Sequence, residues 1–431
     1  MIIGDTFEAP AEKTTLLRLS AKELLQKHRR RAFHLREDGD GLVVAEGEEQ
    51  YFKLPLAATG IAAVPGKIFG HDPQLKKLYL MKPDLSAHEV SYSSTPEPYR
   101  VLRVFSTKGA MELYGVTKTE VLCYKGNTTN HVGSNKGGYG AFFRERLFTA
   151  SGTRVYYSVP FNAQSWTEKR YGGGYLDFNS DELGDILGMQ SYKDKLYLFR
   201  KQGITSLRVL GDELNFRAVH MPMKCGRLIE NTVALCGEKV GYFTDRGFYL
   251  FNGAVSELAQ DSRFDEIDFT KFYKVTSYCG RYYALVTKKQ GGASIYCYDP
   301  EQKEAHFIEN GAVDIASGDE LYFTKGGYAY RVTERGVSEN FTPYFTAEKI
   351  AFGIGNEKML RSIAIDGEGT FTIEISSNRG KCTVKGSANK ILKLRSPVLG
   401  NGFDIKISVG QQEADKARFR AVLFRFTEEK E

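Results

Sequence analysis

The sequence has a single tryptophan, no CxxC pair and no apolar run long enough to span a membrane. Its six cysteines lie far apart, and no combination with the seven histidines has the spacing of zinc ligands. Most of the cysteines fall inside apolar strand runs, where a free cysteine acts as a small hydrophobe. We therefore expect buried, reduced thiols and no metal or cofactor site. The cysteines assigned to strand runs are Cys123, Cys236, Cys279 and Cys297.

Motifs that carry chemistry are also missing. No GxSxG, HExxH or EF-hand loop is present, and the propeller signatures of sialidases, WD40 repeats and kelch repeats are absent. Carboxylates cluster at Asp181-Glu182 and Asp261–Asp268, but such clusters are typical of solvated loops. The glycine-rich segment Gly126–Gly140 lacks the order of a phosphate-binding loop, so we expect a long surface loop. The sequence therefore predicts a protein that is not an enzyme.

The net charge and the N-terminal sequence bear on the partners and the location of the protein. The net charge of +6 is mild for 431 residues and argues for neither nucleic acid nor membrane as a partner. The N-terminal residues lack the layout of a signal peptide, so we expect a chain that begins in a cytoplasm.

Aromatic residues and glycine are abundant: 28 Phe, 25 Tyr and 44 Gly. This composition favours many short strands joined by tight turns, and it predicts an all-β fold. The segment Gly237–Leu258 shows the pattern best, with two aromatic strands around the turn Asp245–Gly247 and a second turn at Asn252-Gly253. We interpret its aromatic residues as packing between repeats and not as a ligand-binding surface.

Similar four-stranded units recur along the chain. Their first strands are predicted to begin near Tyr99, Tyr139, Ile186, Thr232, Lys274 and Ala312, at spacings of 40, 47, 46, 42 and 38 residues. Periods in the forties are typical of β-propeller blades. Six blades are readable, and Gly41–Ser93 supplies a degenerate seventh. A series of β-sandwiches is the alternative, which the regular long period disfavours.

The two ends of the chain depart from this period. We predict an N-terminal arm over residues 1–40, a propeller over 41–340 and a C-terminal β-sandwich over 341–431. A capping box at Ser20–Glu23 predicts a short helix over Ala21–Arg31. The helix ends in the densest basic run of the chain, which is either a solvated helix end or a contact for phosphate or an acidic partner. The candidate contact residues are Lys27, Arg29, Arg30 and Arg31.

Four stretches resemble segments of phage tail-hub proteins. Arg144–Trp166 has their RLF strand, their V-Y-S strand and a loop with Pro and Asn that closes on Trp, and two later units and a C-terminal strand are similar too. The later stretches are Lys195–Leu207, Thr244–Gly253 and Ser396–Gly410. The chain is shorter than the large nozzle proteins of this kind.

The resemblance implies a structural virion component of a short-tailed bacteriophage, a subunit of the tail tube, nozzle or hub. Such a subunit would form a homo-oligomeric ring, hexameric or dodecameric, around the DNA channel. Its partners would be the adaptor and the fibres, with transient, non-specific passage of DNA. It would be made in the bacterial cytoplasm and located in the virion. The alternative is a non-viral propeller module that binds a protein or glycan through its loops.

Overall fold

A computed structural model shows an all-β chain that divides into two compact units. One, the sandwich unit, comprises residues 1–48, 306–309 and 333–431; the other, the propeller unit, comprises 49–305 and 310–332. The structure describes residues 14–21, 23, 29–33, 35–38, 41–44, 46–55, 60–72, 77–81, 87–89, 91–92, 103–106, 113–117, 119–125, 128–134, 136–167, 172–179, 182–210, 215–259, 264–270, 274–333, 343–351, 358–410 and 416–428.

Forty strands lie within these described residues, together with a 3-10 helix at Phe264–Glu266. The strands are β1 Thr14–Ser20, β2 Arg29–Phe33, β3 Leu35–Asp38, β4 Gly41–Val44, β5 Gly47–Lys53, β6 Gly60–Val64, β7 Lys67–Asp72, β8 Lys77–Met81, β9 Ala87–Glu89, β10 Ser91–Tyr92, β11 Arg103–Ser106, β12 Leu113–Val116, β13 Glu120–Lys125, β14 Thr128–Ser134, β15 Tyr139–Phe143, β16 Arg146–Ser151, β17 Arg154–Tyr157, β18 Gly174–Asp177, β19 Ile186–Tyr192, β20 Lys195–Arg200, β21 Gly203–Arg208, β22 Arg217–Pro222, β23 Ala234–Cys236, β24 Lys239–Thr244, β25 Gly247–Phe251, β26 Ser256–Leu258, β27 Lys274–Tyr278, β28 Arg281–Thr287, β29 Ala293–Asp299, β30 Glu304–Ile308, β31 Asp314–Ser317, β32 Leu321–Lys325, β33 Tyr328–Thr333, β34 Tyr344–Ala351, β35 Lys358–Glu368, β36 Thr370–Ser377, β37 Gly380–Ser387, β38 Leu392–Gly400, β39 Gly402–Val409 and β40 Arg418–Glu428.

Seven small antiparallel sheets make up the propeller among the described residues. Blades 1 to 6 are β6–β9, β11–β14, β15–β18, β19–β22, β23–β26 and β27–β30, and β10 adds a parallel strand to the edge of blade 2. Blade 7 combines β31, β32 and β33 with β5. Because β5 precedes all other blades in sequence, blade 7 closes the propeller with strands from both ends of the repeat region.

The first strand of each blade packs beside the first strand of the next. Close approaches join β6 to β11, β11 to β15, β15 to β19, β23 to β27, β27 to β31 and β31 back to β6. Blades 4 and 5 meet where a Cβ on Gly188 would lie 2.4 Å from the side chain of Val233. The contacts therefore run around a closed ring.

The predicted blade starts agree with this architecture. First strands begin at Tyr139, Ile186 and Lys274, as predicted, and at Arg103, Ala234 and Asp314, within four residues of the prediction. The degenerate seventh repeat was harder to divide. Gly41–Ser93 does contain one whole blade, blade 1 at β6–β9, but the other strands of the stretch belong to the sandwich unit, to blade 7 and to blade 2.

Aromatic side chains join blade 5 to blade 6. Phe248 is fully buried, and its ring centroid lies 4.8 Å from that of Tyr282 and 4.9 Å from that of Tyr298. Phe243, also fully buried, lies 5.3 Å from the ring of Tyr296. The interpretation of Gly237–Leu258 as a blade whose aromatic residues pack against its neighbour is confirmed. Its second turn is confirmed too, since the side chain of Asn252 accepts backbone hydrogen bonds from the two residues after Gly253.

A buried charge network joins blades 6, 7 and 1. Asp314, at the start of β31, lies 2.7 Å from Nζ of Lys274 in β27 and 3.5 Å from Nε2 of His71 in β7. The backbone N–H of Ile61 in β6 donates to Asp314 Oδ2 at 2.8 Å, and Lys274 Nζ donates to the carbonyl of Ile61 at 2.7 Å. All three ionisable side chains are buried. A Cβ at residue 60 would lie 2.0 Å from the His71 ring, so only glycine fits there.

The sandwich unit has two sheets that enclose one apolar core. The first sheet has the order β3-β4-β40-β35-β38, with β1 also paired to β40, and the second has the order β2-β34-β39-β36-β37. Phe345, Ile373 and Ile407 from the second sheet pack in the same core as Leu360 and Phe424 from the first. Strands β34 to β40, all within the predicted C-terminal domain, supply most of both sheets, and β1 to β4 supply the rest.

The N-terminal residues differ from the predicted arm. Strand β1 pairs along its length with β40, and β2 pairs with β34, so the segment contributes strands to both sheets. The predicted helix over Ala21–Arg31 is wrong at its end, because Arg29–Phe33 is a strand. The capping box itself is present: Ser20 Oγ accepts from the backbone N–H of Glu23 at 3.2 Å, and Glu23 Oε2 accepts from the backbone N–H of Ser20 at 2.9 Å.

Two smaller expectations need correction. Cys279 is exposed, because it lies in a turn with a φ of 47°; the other five cysteines are buried, and all six are free thiols. The segment Gly126–Gly140 is not one long loop, because Thr128–Ser134 is strand β14 of blade 2. Beyond its first two residues, which also pair with β10, strand β14 has β13 as its one neighbour in the sheet, so a polar sequence can form it.

Candidate functional site

The basic run singled out in the sequence lies on a strand of the sandwich unit. Arg29, Arg30 and Arg31 belong to β2, where Arg29 is the backbone partner of Glu348 in β34. Lys27 lies outside the described residues. Strand β2 is an edge strand of its sheet, so the run borders the sheet instead of ending a helix.

The described carboxylates of the two clusters lie outside the strands. Glu266 pairs with Lys288 at 3.6 Å, and Asp268 Oδ1 accepts from the backbone N–H of Thr270 at 3.0 Å. Glu182 is exposed, and Asp181 lies outside the described residues. The carboxylates that the structure describes here therefore have ordinary turn and surface partners.

A projecting rim of blade 3 is the best candidate for an interaction site. We define the blade 3 rim as the turn Arg144–Glu145 between β15 and β16, together with residues 158–167 after β17. The turn has a φ of 47° at Arg144 and 59° at Glu145, both in the left-handed region. Phe161 has a φ of 58°, and its N–H donates to the carbonyl of Glu145 at 2.8 Å. Three non-glycine residues thus hold costly backbone conformations side by side.

A buried arginine holds the base of this rim. The side chain of Arg146 is 1% exposed, and its Nη1 donates to the carbonyls of Ser158, at 2.7 Å, and of Gly172. The guanidinium carbon lies 5.4 Å from the ring centroid of Tyr157 and 5.7 Å from that of Phe216. Burying a cation is tolerated only with such partners. Arg146 therefore ties the first residue of the loop, Ser158, and Gly172, which lies beyond the rim, to the body of the blade.

Further contacts stiffen the same loop. Ser158 Oγ accepts from the N–H of Leu147 at 2.9 Å, and the N–H of Val159 donates to the carbonyl of Ser165 at 2.9 Å. Ala163 is buried in an apolar cluster of blades 2 and 3, and Trp166 packs against that cluster. The loop is thus anchored at its base, at its middle and at its end.

The tip of the rim is apolar and open. Phe161 is 84% exposed, the largest exposed fraction among the large hydrophobic residues described. A lone exposed hydrophobic residue is common on any surface. An aromatic ring held outward by a strained and anchored backbone is different, because little conformational entropy is left to lose on binding. Aromatic residues of this kind dominate the binding energy of protein interfaces. The arrangement is suited to binding a partner.

The sequence contained part of this site. The two strands predicted within Arg144–Trp166, the stretch that resembles tail-hub proteins, are present as β16 and β17. Neither the exposure of Phe161 nor the burial of Arg146 could be read from it. The usable signal was a hairpin turn made of Arg-Glu where glycine or asparagine is usual, which indicates strain.

No protein-family model matches the sequence, and no curated protein sequence matches it either. Solved structures do resemble its fold. A streptogramin B lyase has a TM-score of 0.46 and 10% identity, over 67% of this chain and 98% of that chain. Virginiamycin B lyase from Staphylococcus aureus has a TM-score of 0.45 and 9% identity, over 74% of this chain and 99% of that chain. Kluyveromyces lactis Hsv2 has a TM-score of 0.39 and 11% identity, over 65% of this chain and 98% of that chain. At these identities the likeness says nothing about activity.

Among the helices that the described residues form, none is long and apolar enough to cross a membrane.

Proposed function

We propose that the chain is a structural component of a short-tailed bacteriophage virion, a tail tube, nozzle or hub subunit that assembles into a ring around the DNA channel. The observation that supports this is the blade 3 rim. The segment with the tail-hub resemblance forms an anchored loop that presents Phe161 at 84% exposure. A ring subunit needs such a projecting contact, because each copy binds a different surface of the next copy.

The proposal assigns the rim to the subunit interface. Phe161 enters an apolar recess of the neighbouring copy, and the exposed polar residues Arg144, Asn162 and Gln164 form the border. Burial of an aromatic ring at the centre of an interface is worth several kcal/mol, on the order of 2–4 when truncated to a small residue. Loss of that contact should separate the ring into monomers without unfolding the chain.

The test compares two exposed apolar residues. Phe161→Ser removes the rim contact, and Val255→Ser, at a residue that is 58% exposed on blade 5, is the matched control. Sedimentation velocity over a wide concentration range should show a closed oligomer of six or twelve copies for the wild type and the control, and monomer for Phe161→Ser. A wild-type chain that stays monomeric at every concentration, and is absent from purified virions, would contradict the proposal. A monomer that binds a protein or glycan through the same rim would instead support the non-viral interaction module.

A further inference from the structure

A second basic segment, separate from the run at Lys27–Arg31, lies near the C-terminus. Residues 376–402 contain six basic residues and no acidic one. The whole chain has 59 basic and 53 acidic residues, so this segment holds the entire net charge of +6 and the rest is neutral. We call the six residues the basic edge. They are Arg379, Lys381, Lys385, Lys390, Lys393 and Arg395.

The fold gathers these residues at one border of the sandwich unit. Strand β37 is an edge strand of the second sheet, and β38 is an edge strand of the first. The two strands run alongside each other, since a Cβ on Gly386 would meet Leu392 and one on Gly380 would lie 3.8 Å from Val398. This register sets Lys385 level with Lys393.

All six side chains of the basic edge are exposed. Their strand neighbours alternate with them: Cys382 and Leu394 are buried in the core, and Val384 and Leu392 pack against it. The alternation of a β-strand therefore turns the charged residues outward. Hydrophobic burial on one face fixes the strands and holds the charges on the other.

Little negative charge offsets the basic edge. Glu374 lies 3.4 Å from Lys381, but it also pairs with Lys406 at 3.5 Å. Lys385, Lys390 and Lys393 have no ion pair with any residue that the structure describes. Like charges placed across neighbouring strands destabilise a sheet. This concentration of charge therefore lowers the stability of the free chain, and a bound polyanion would relieve the repulsion.

The chemistry of the surface favours phosphates over an acidic protein. Its exposed polar residues are lysine, arginine, serine, threonine and asparagine, the side chains that contact nucleic-acid backbones. Ile391, at 61% exposure, is the one large apolar residue that is strongly exposed on this described stretch, so aromatic anchors typical of protein interfaces are absent from it. We propose that the basic edge binds the phosphate backbone of nucleic acid without reading its sequence. This inference stands whether or not the chain forms a ring.

The spacing of the charges suits such a backbone. Lys381 and Lys385 are four residues apart on one face of β37, roughly 13 Å at the usual strand rise. That length covers about four phosphates of one strand at 3.4 Å each. The predicted site at Arg29–Arg31 lies on β2, at the opposite border of the same sheet, roughly 19 Å away at the usual strand spacing. The two basic segments are thus separate surfaces.

The experiment measures DNA binding as a function of salt. The variant Lys385→Gln/Lys390→Gln/Lys393→Gln removes three charges of the basic edge. Its matched control is Lys224→Gln/Lys289→Gln/Lys416→Gln, which removes three exposed charges elsewhere. Fluorescence anisotropy with a labelled mixed-sequence duplex gives the dissociation constant at each salt concentration. Thermal unfolding of both variants checks that the fold is kept.

We expect the wild type and the control to bind with a similar, steep dependence on salt. For the basic-edge variant, the slope of log affinity against log salt should be shallower than that of the wild type by about 2.7. This is three lost phosphate contacts at about 0.9 each. Equal slopes for the two variants, or no binding by the wild type at low salt, would overturn the proposal. So would competition by polyglutamate that equals competition by DNA of the same charge. Monomeric wild-type protein that still shows the predicted slope would leave this proposal standing while the ring fails.

Discussion

Two junctions between blades are built in opposite ways. Blades 5 and 6 meet through stacked aromatic rings, with Phe248 against Tyr282 at 4.8 Å. Blades 6, 7 and 1 meet through a charged network, with Lys274 against Asp314 at 2.7 Å. Both junctions are buried. They differ in how strongly their contribution to stability depends on the exact alignment of the two blades.

The difference follows from how the chain closes. Blades 5 and 6 are consecutive, so their aromatic residues need only fill space, and apolar packing is largely non-directional. Blade 7 must bring β5 beside β33, across most of the sequence. Charged hydrogen bonds work only at one register, because a shift leaves a buried charge unpaired. We therefore expect the network to specify how the ring closes and the aromatic junction to supply stability.

The largest effect is expected at the aromatic junction. Phe248→Ala should lower the free energy of unfolding by about 3–5 kcal/mol, since it removes a ring and leaves a cavity. Equilibrium unfolding in urea measures this loss. Phe161→Ala is the control, because that ring is 84% exposed and its loss should change stability little. Similar losses for both variants would show that the junction is not a main source of stability.

The charged junction should be nearly as sensitive to the loss of one partner. Asp314→Asn leaves Lys274 buried without its counter-charge and should lower the free energy of unfolding by about 3 kcal/mol. This is the lower end of the range of about 3–5 kcal/mol for a broken buried ion pair, because the lysine can release its proton. The paired replacement Lys274→Met/Asp314→Leu should cost less, since the lysine and its counter-charge are removed together and only the hydrogen bonds to the backbone of Ile61 and the contact with His71 are lost. Urea unfolding of both variants decides this point. A double variant as unstable as the single one would show that the charges contribute stability and not only specificity.

The same carboxylate predicts a dependence on pH. Burial raises the pKa of Asp314, but the charges of Lys274 and His71 and the hydrogen bonds they donate outweigh this and hold it below its ordinary value of 3.8. A lowered folded pKa means that the folded state favours the charged form. Its contribution to stability is therefore present above about pH 3.8 and is lost as the pH falls below that value. As the pH falls below about 3.8, the stability of the wild type should therefore fall more steeply than that of Asp314→Asn, and parallel acid limbs would contradict the assignment.

The smallest effect concerns a neutral contact at the charged junction. Thr276 Oγ1 and Ser317 Oγ lie 2.5 Å apart and join β27 to β31. Thr276→Val keeps the shape of the side chain and removes the hydrogen bond, so it should cost about 1 kcal/mol. Urea unfolding of Thr276→Val and of Asp314→Asn, compared by their free energies of unfolding, would separate the neutral and charged contributions to the junction. A cost as large as that of Asp314→Asn would mean that charge is not what distinguishes this junction.

Much of the propeller was predictable because a blade is a local object. Each consists of short strands joined by turns, and the aromatic alternation and glycine positions of Gly237–Leu258 encode both. The blade 3 rim was predictable only as a stretch with a distinctive composition. The basic edge was missed because its six charges are spread over Arg379–Arg395 and no dense run marks them. Burial of Cys382 and Leu394 between them decides which way the charges point.

The sequence by itself determined the all-β class, the repeat of about forty residues and the sandwich at the C-terminus, since these depend on patterns within one strand or one hairpin. Only the tertiary structure decided that β1 to β4 join the sandwich sheets and that β5 closes the propeller. It also decided that Asp314 meets Lys274 and His71. Such pairings link residues far apart in sequence, and their stability comes from burial that no local pattern records.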